Sequence, residues 1–174
     1  MARVAPVNPS PAGNAVTNSL LARVMGRCPD VLEAFGRLDA TIRFNGRLGG
    51  ELCEAVRRAT ASRVGCEYCA SLGEREPPPP GPDERRIGLA TAFAELVAED
   101  PDGVTDAQFD VLREEFDEEE IVELVAFICL VSVAGQMFGA VLGLEPAAPA
   151  EAAAYQSVLS RGHERAAARR APGS

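Results

Sequence analysis

The sequence predicts an all-α fold. Apolar residues recur at helical spacing along most of the chain, and short stretches rich in Gly, Pro and Asp separate these segments. Acidic residues or Thr precede several segments, as is common at helix N-termini. With 174 residues, 47% of them hydrophobic, the chain can bury one core but is short for two full domains. We therefore expect one compact helical domain over residues 15–170.

The two ends of the chain fall outside this domain. Residues 1–14 are rich in Pro, Gly and Asn, so we expect this segment to lack fixed structure. We expect residues 171–174 to form a disordered tail.

Three helices are predicted in the first part of the domain. Apolar stripes over residues 20–25 and 31–42 flank a break at Cys28-Pro29-Asp30. A third stripe covers residues 52–64 after a pair of glycines, and Gly65 is expected to end that helix.

A proline-rich loop at residues 76–83 is predicted inside the domain, because consecutive prolines exclude a helix interior. Asp83 is expected to cap the next helix, which residues 100–103 end. Thr105 and the acidic run 117–120 are expected to begin two further helices.

Residues 121–144 form the most apolar stretch, long enough for a membrane span. Three features disfavour a membrane span here: the acidic flank at 117–120, the lack of nearby Lys or Arg, and Gln136 within the stretch. We predict a core or subunit-interface helix. Glycines at every fourth position would allow close helix contact: Gly135, Gly139 and Gly143.

An Ala-rich helix is predicted over residues 150–170, with Arg residues near its C-terminus as the helix dipole favours. The single histidine, His163, is expected to be a solvated surface residue.

The charge and the cysteines restrict the classes of function. A formal net charge of −9 argues against a nucleic-acid partner, which requires a basic patch. The five cysteines are an odd number and no secretion signal is visible, so we expect a reducing, cytoplasmic location. In that compartment a close cysteine pair is more often catalytic or metal-binding than structural. Three cysteines are predicted to be small buried apolar residues: Cys28, Cys53 and Cys129.

The motif Cys66-Glu67-Tyr68-Cys69 carries the most specific chemistry in the chain. Cysteines three residues apart at a helix start can form a disulfide, and the helix N-terminus lowers the pKa of the thiol nearer to it, which is Cys66. Zinc is disfavoured because a site needs about four ligands and no second pair is present. Glu54 lies twelve residues earlier, about 18 Å away along a straight helix, so contact with the pair requires a bend near Val64-Gly65 or another helix that crosses back. By spacing alone, Glu54 could equally be a surface ion-pair residue beside Arg57 and Arg58.

Two segments resemble the alkylhydroperoxidase D-like branch of the carboxymuconolactone decarboxylase family. The first contains Glu54, Ser62-Arg63 and the run from Gly65 to Cys69. The second leads from Val104-Thr105-Asp106 into the acidic-capped helix of residues 117–125. The cysteine motif with its upstream Glu is the more specific match.

The resemblance covers about residues 30–145 and implies an all-helical bundle that assembles into trimers or hexamers. It implies a thiol peroxidase or disulfide oxidoreductase that reduces hydroperoxides without a bound cofactor. On this pattern Cys69 attacks the peroxide, Cys66 resolves and faces the partner, and Glu54 belongs to a proton relay. Tyr68 lies between the cysteines as a donor or a packing residue. The reductant would be a thiol protein or a dihydrolipoyl group.

The sequence departs from the family pattern after the second cysteine. A relay histidine is usual at the position of Gly73, and residues 77–80 are all proline where the family continues helical. Gly73 is expected to end the cysteine helix in the left-handed conformation. Glu74 or Glu76 could substitute for the histidine. The alternative function is a catalytically degenerate binding or assembly module, whereas true carboxymuconolactone decarboxylation is disfavoured because it needs no cysteine pair.

Overall fold

A computed structural model describes residues 2–73, 77 and 80–170. Within these residues every regular element is helical and no strand occurs. The predicted all-α fold is therefore confirmed for the part of the chain that the structure describes.

The helices follow one another with short connections. Two of them continue directly into π-helical segments: α2 into Thr41–Asn45, and α7 through Phe127–Val133 into α8. A 3₁₀ turn at Pro101–Gly103 separates α5 from α6. The α-helices are α1 (Leu20–Met25), α2 (Pro29–Ala40), α3 (Gly50–Val64), α4 (Glu67–Ser71), α5 (Glu84–Glu99), α6 (Asp106–Leu112), α7 (Glu118–Ala126), α8 (Ala134–Val141) and α9 (Pro149–Arg170).

Side-chain caps explain where two of the helices begin. At α7 the Asp117 carboxylate accepts from Glu120 N at 2.9 Å, and Glu120 accepts from Asp117 N at 3.1 Å. At α6 the Gln108 side chain accepts from Thr105 N at 2.9 Å. Both predicted starts are confirmed, because these reciprocal bonds satisfy N–H groups that a helix leaves unpaired.

The main core lies where α3 packs against α5 and against the long helix of α7 and α8. A second, smaller cluster lies beneath α4 and contains both cysteines of the motif. Its buried members are Val24, Ala61, Cys66, Tyr68, Cys69, Leu72 and Leu144. The cysteine pair is thus part of a packed interior.

The helix over Glu118–Val141 is long and apolar enough to cross a membrane by length and composition, with a mean hydropathy of 2.2. One of its faces packs into the core, where Leu124, Phe127 and Ile128 are fully buried. The opposite face exposes several large apolar side chains.

The N-terminal segment runs against the helical body in this structure. Val7 N donates to Arg23 O at 3.0 Å, and the Arg27 side chain donates to Ala5 O at 2.7 Å. Arg3 N donates to Leu142 O at 2.8 Å. The expected lack of fixed structure in residues 1–14 concerns their motion and stays a prediction. The predicted tail at 171–174, and Glu74 and Glu76 of the loop, lie outside the described residues.

Candidate functional site

A sharp turn between α3 and α4 positions the cysteine pair. Gly65 ends α3 with φ of +74°, in the left-handed region that glycine adopts without steric cost. Cys66 then becomes the N-cap of α4, and Cys69 lies in that helix. The predicted end of this helix at Gly65 is confirmed.

Cys66 and Cys69 form a disulfide, with their Cα atoms 5.2 Å apart. Cys69 N donates to the Cys66 Sγ at 3.2 Å, a bond that would favour a thiolate on Cys66 after reduction. Both residues are buried, with exposed fractions of 1% for Cys66 and 5% for Cys69. The two residues differ in their surroundings, because Cys69 lines the cavity described below and Cys66 does not.

Gly139 on α8 allows this helix to lie directly on the disulfide. A Cβ atom at position 139 would be 2.8 Å from the Cys66 Sγ and 3.4 Å from the Cys69 Sγ. This contact lies within the chain, and the contact in an oligomer or in lipid expected for these glycines stays a prediction. This contact covers Cys66, so a role facing a partner protein finds no support in the geometry.

Glu54 is buried on α3 within a network of cations. Arg57 donates to both of its carboxylate oxygens, through Nε at 2.8 Å and Nη2 at 2.7 Å. Arg58 Nε and Gln156 Nε2 add bonds of 3.1 and 2.9 Å. Arg43 Nη1 lies 3.7 Å from the carboxylate. The four partners come from the helical segment after α2, from α3 and from α9.

Arg57 connects Glu54 to the cysteine helix. Its Nη1 donates to Cys69 O at 2.8 Å while its other nitrogens hold the Glu54 carboxylate. Glu54 therefore reaches the cysteine loop through a guanidinium and a backbone carbonyl, and its recorded hydrogen bonds do not involve either sulfur.

The charge state of Glu54 bears on the predicted proton relay. Burial alone would raise the pKa of this carboxyl, but the bonds and charge of Arg57, with Arg43 and Gln156, lower the pKa to about 2. A carboxylate with so low a pKa is a weak base and has no proton to donate near neutral pH. The network favours Glu54 as a positioning residue, and its relay role stays a prediction.

Tyr68 connects three parts of the fold through its phenol group. The hydroxyl accepts from Leu20 N at 3.0 Å and donates to the Glu151 carboxylate at 2.9 Å. Burial, followed by the bond to Glu151, raises the pKa of Tyr68 above its usual value. These bonds support the packing interpretation, since the hydroxyl is already engaged by α1 and α9.

Position 73 faces the Glu54 network. A Cβ atom on Gly73 would be 2.9 Å from Gln156 Nε2 and 3.0 Å from Arg58 Nε. Gln156 also donates to Leu72 O. Gln156 therefore occupies the space into which a side chain at position 73 would extend. The left-handed conformation predicted for Gly73 is wrong: α4 ends at Ser71, Leu72 is its C-cap, and φ at Gly73 is 159°.

A cavity of about 320 Å³ lies beside the disulfide, between α1, α2, α3, α8 and α9. Most of its wall is apolar. Polar side chains from α2, α3, α8 and the two π-helical segments also line it: Asp39, Arg43, Arg57, Ser132 and Gln136. Cys69 and Tyr68 contribute from α4. A mostly apolar cavity with a few polar groups is typical of sites for small organic molecules.

Sequence reasoning missed three residues of this region and expected a fourth, Arg57, at the surface. Arg57 stands three residues after Glu54, a spacing that indicates an ion pair but not its burial. Gln136 interrupts an apolar stretch, which is a weak signal for a buried polar role. No sequence signal identified Arg43 or Gln156, because tertiary packing brings them to Glu54.

The burial of three of the remaining candidate residues was predicted wrongly. Cys53 is buried as expected, and burial raises the pKa of its thiol to about 12, whereas Cys28 and Cys129 are exposed. His163 is half-buried against Phe44, with ring centroids 5.4 Å apart, so the expected solvated surface position is wrong. Among the described residues, no three metal-ligating side chains are grouped as a metal site requires.

Comparison with known proteins found no matching family model, no matching curated protein and no matching solved structure. The resemblance to the alkylhydroperoxidase D-like branch therefore stays a prediction, and the functional argument depends on the geometry of the site.

Proposed function

We propose that this protein is a thiol-dependent peroxidase or disulfide oxidoreductase that uses Cys66 and Cys69 to reduce hydroperoxides. The observation that carries the proposal is the disulfide between these residues, with Cys69 on the wall of a mostly apolar cavity. A cysteine on a cavity wall can meet an organic substrate away from bulk water. The bundle would then be of the alkylhydroperoxidase D-like type.

The proposed cycle begins from the reduced pair. The Cys69 thiolate attacks the terminal peroxide oxygen, so an S–O bond forms, the O–O bond breaks, and the leaving alkoxide takes a proton from solvent. The Cys66 thiolate then attacks the Cys69 sulfenic acid, which forms the disulfide and releases hydroxide that is protonated to water. An external dithiol, such as a dihydrolipoyl group on a thiol reductant protein, returns two electrons by two exchange steps and becomes a disulfide itself.

The protonation chemistry predicts a slow rate. General acid–base assistance is worth about 10²- to 10⁴-fold. Glu54 is held ionised and Tyr68 is engaged elsewhere, so solvent is the expected proton source. The assignment of attack to Cys69 follows the cavity, although the bond that Cys69 N donates to the Cys66 Sγ favours the thiolate at Cys66.

The test is the loss of thiols from reduced protein mixed with cumene hydroperoxide. The exposed Cys28 and Cys129 are first replaced by Ser, so that the cysteine pair and the buried Cys53 remain. In this background we expect two thiols to be lost per hydroperoxide consumed. Cys69→Ser should abolish the reaction. Cys66→Ser should lose one thiol and leave a sulfenic acid that dimedone traps.

Equal rates of thiol loss in the background protein and in both single variants would contradict the proposal. Repeated turnover on addition of dihydrolipoamide would distinguish a working cycle from a single oxidation. If Cys66→Ser abolished the reaction and Cys69→Ser left a sulfenic acid that dimedone traps, the attack would be assigned to Cys66 instead.

A degenerate binding or assembly module is the second candidate. The burial of both sulfurs and the ionised state of Glu54 favour it, since each slows peroxide chemistry. Protein that binds organic ligands in the cavity but consumes no hydroperoxide would support this candidate.

We further propose that the chain forms a homo-oligomer, a trimer or hexamer in a reducing cytoplasm, through the apolar face of residues 122–141. Exposed large apolar side chains lie along this face: Val122, Leu130, Met137 and Val141. Such patches are typical of protein interfaces or membrane contacts. We expect sedimentation at micromolar concentration to show an oligomer without detergent. A stable monomer would contradict this assignment.

A further inference from the structure

One wall of the cavity is formed by the N-terminal strap, which we define as residues 5–25 and which includes α1. Five side chains of the strap line the cavity along most of its length: Asn14, Val16, Thr17, Leu21 and Met25. The first part of the strap is joined to α1, because Val7 N donates to Arg23 O at 3.0 Å and Arg23 Nε donates to Val7 O at 2.8 Å. A movement of α1 would therefore carry the strap with it.

Tyr68 connects the strap to the cysteine helix. Its hydroxyl accepts from Leu20 N at 3.0 Å and donates to the Glu151 carboxylate at 2.9 Å. Leu20 is the first residue of α1, where a helix leaves N–H groups without an internal partner, and Tyr68 supplies that partner. Tyr68 is fully buried and stands between the two cysteines in the sequence. The position of Tyr68 thus relates the cysteine pair to one wall of the cavity.

The packing around the disulfide leaves little room for two free thiols. Bonded sulfurs lie about 2 Å apart, whereas non-bonded atoms of this size stay about 3.5 Å apart or more. The sulfurs cannot separate towards α8, since a Cβ atom at Gly139 would already be 2.8 Å from the Cys66 Sγ and 3.4 Å from the Cys69 Sγ. Reduction therefore displaces α4 away from α8.

The N-terminal half of α4 is the part that can move. This helix has five residues, and so short a helix depends on its surroundings for stability. Its second half is anchored, because Ser71 Oγ accepts from Ala147 N at 2.7 Å and Cys69 O accepts from Arg57 Nη1 at 2.8 Å. The displacement falls on residues 66–68, which include the tyrosine that holds the strap.

We propose that the Cys66–Cys69 pair is a redox switch for the strap: the disulfide holds the strap over the cavity through Tyr68, and reduction releases the strap and opens the cavity. This inference concerns the regulation of the same site and rests on the proposed function, in which the dithiol form reacts with hydroperoxide. The cavity is then open in the form that takes up substrate. The closed disulfide form is reduced slowly, because the strap and α8 cover the pair.

Hydrogen exchange of the Leu20 amide and of the other α1 amides, measured by NMR, tests the switch without hydroperoxide. The protein carries Cys28→Ser and Cys129→Ser, so that exposed thiols take no part. Dithiothreitol breaks the disulfide by two exchange steps, leaves two thiols and becomes a cyclic disulfide. We expect exchange in α1 to rise at least about ten-fold on reduction. Exchange in α5, which packs against α3, should stay unchanged.

Two results of this measurement would overturn the switch. One is equal exchange of the α1 amides in the disulfide and dithiol forms. The other is an equal rise in α1 and α5, which would show a general loosening of the fold in place of a release of the strap.

Tyr68→Phe separates the hydroxyl group from the packing of the ring. Without the bond to Leu20, the disulfide form of this variant should exchange its α1 amides about as fast as the reduced protein. Dithiothreitol should also reduce its disulfide at least about ten-fold faster, since the strap no longer covers the pair. Unchanged exchange and unchanged reduction in Tyr68→Phe would contradict the role of this hydroxyl.

Tyr155→Phe is the matched control. Tyr155 also lines the cavity, and within the described part of the chain no hydrogen bond joins it to the strap. Its α1 exchange and its rate of reduction should equal those of the background protein. Changes as large as those in Tyr68→Phe would contradict a specific connection through Tyr68.

The outcomes separate the switch from the peroxidase proposal. If Tyr68→Phe fails to fold, the comparison of the two redox forms of the background protein still decides. Hydroperoxide consumption without a change in α1 exchange would remove the switch alone. Release of the strap on reduction without hydroperoxide consumption would remove the peroxidase proposal and leave the switch.

Discussion

Glu54→Gln is expected to lower the free energy of unfolding by about 3–5 kcal/mol, the usual cost of removing one partner from a buried ion pair. The amide would present N–H groups to Arg57, which also has only donors, and would leave its guanidinium without a balancing charge. Urea unfolding at neutral pH measures the change.

The pH dependence provides a second measurement of the same interaction. The Glu54 pKa falls from 4.5, its ordinary value, to about 2 in the folded protein. Its stabilisation is therefore fully present above pH 4.5 and is lost as the pH falls towards 2. A shift of this size corresponds to about 3 kcal/mol. We expect the difference between the original protein and Glu54→Gln to shrink over this pH range.

Glu51→Gln is the matched control for this prediction. Glu51 lies on the same helix, one turn earlier, and is exposed. We expect its replacement to leave the free energy of unfolding nearly unchanged, because surface substitutions away from such networks have small effects. Equal stabilities of the two variants would show that the Glu54 network does not hold the site together.

Gly139→Ala is expected to lower the free energy of unfolding by about 1–3 kcal/mol through overpacking. The added methyl group would lie 2.8 Å from the Cys66 Sγ and 3.6 Å from Leu144 Cδ1. The disulfide cannot rotate away as a free side chain can, so α8 must move instead. Urea unfolding of the oxidised protein measures the loss.

Gly36→Ala is the control, because Gly36 lies on α2 and a Cβ atom there would meet no heavy atom within 4 Å. It is expected to stabilise the protein by up to about 1 kcal/mol, the difference between Gly and Ala in a helix. A loss of stability at position 36 equal to that at position 139 would contradict the close contact between α8 and the disulfide.

Local signals in the sequence predicted much of the helical framework. Capping residues such as Thr105 and Asp117 mark helix starts through bonds to neighbouring N–H groups, so short stretches of sequence suffice to recognise them. Gly65 similarly identified the end of α3, because the left-handed conformation favours glycine strongly. Exposure was harder to predict. Cys28 and Cys129 proved exposed and His163 half-buried, since burial depends on which helix covers a residue.

The candidate site was predicted only in part for the same reason. The Cys66-x-x-Cys69 spacing and the turn at Gly65 are local, and they identified the disulfide-forming pair. Glu54 was recognised as a candidate and Arg57 and Arg58 as possible ion-pair partners, but Arg43 and Gln156 were not. Gln156 stands 102 residues away along the chain, and no periodic pattern relates the two positions.

The sequence by itself determined the helical class of this protein, the position of its cysteine pair and the turn that presents it, because backbone propensity, capping and glycine conformation act over a few residues. The tertiary structure alone decided that Glu54 is held ionised by Arg57, that α8 covers the disulfide at Gly139, and that Arg43 and Gln136 share a cavity with Cys69. These features arise where distant helices pack together, and burial there alters hydrogen bonding and charge in ways that no local pattern contains.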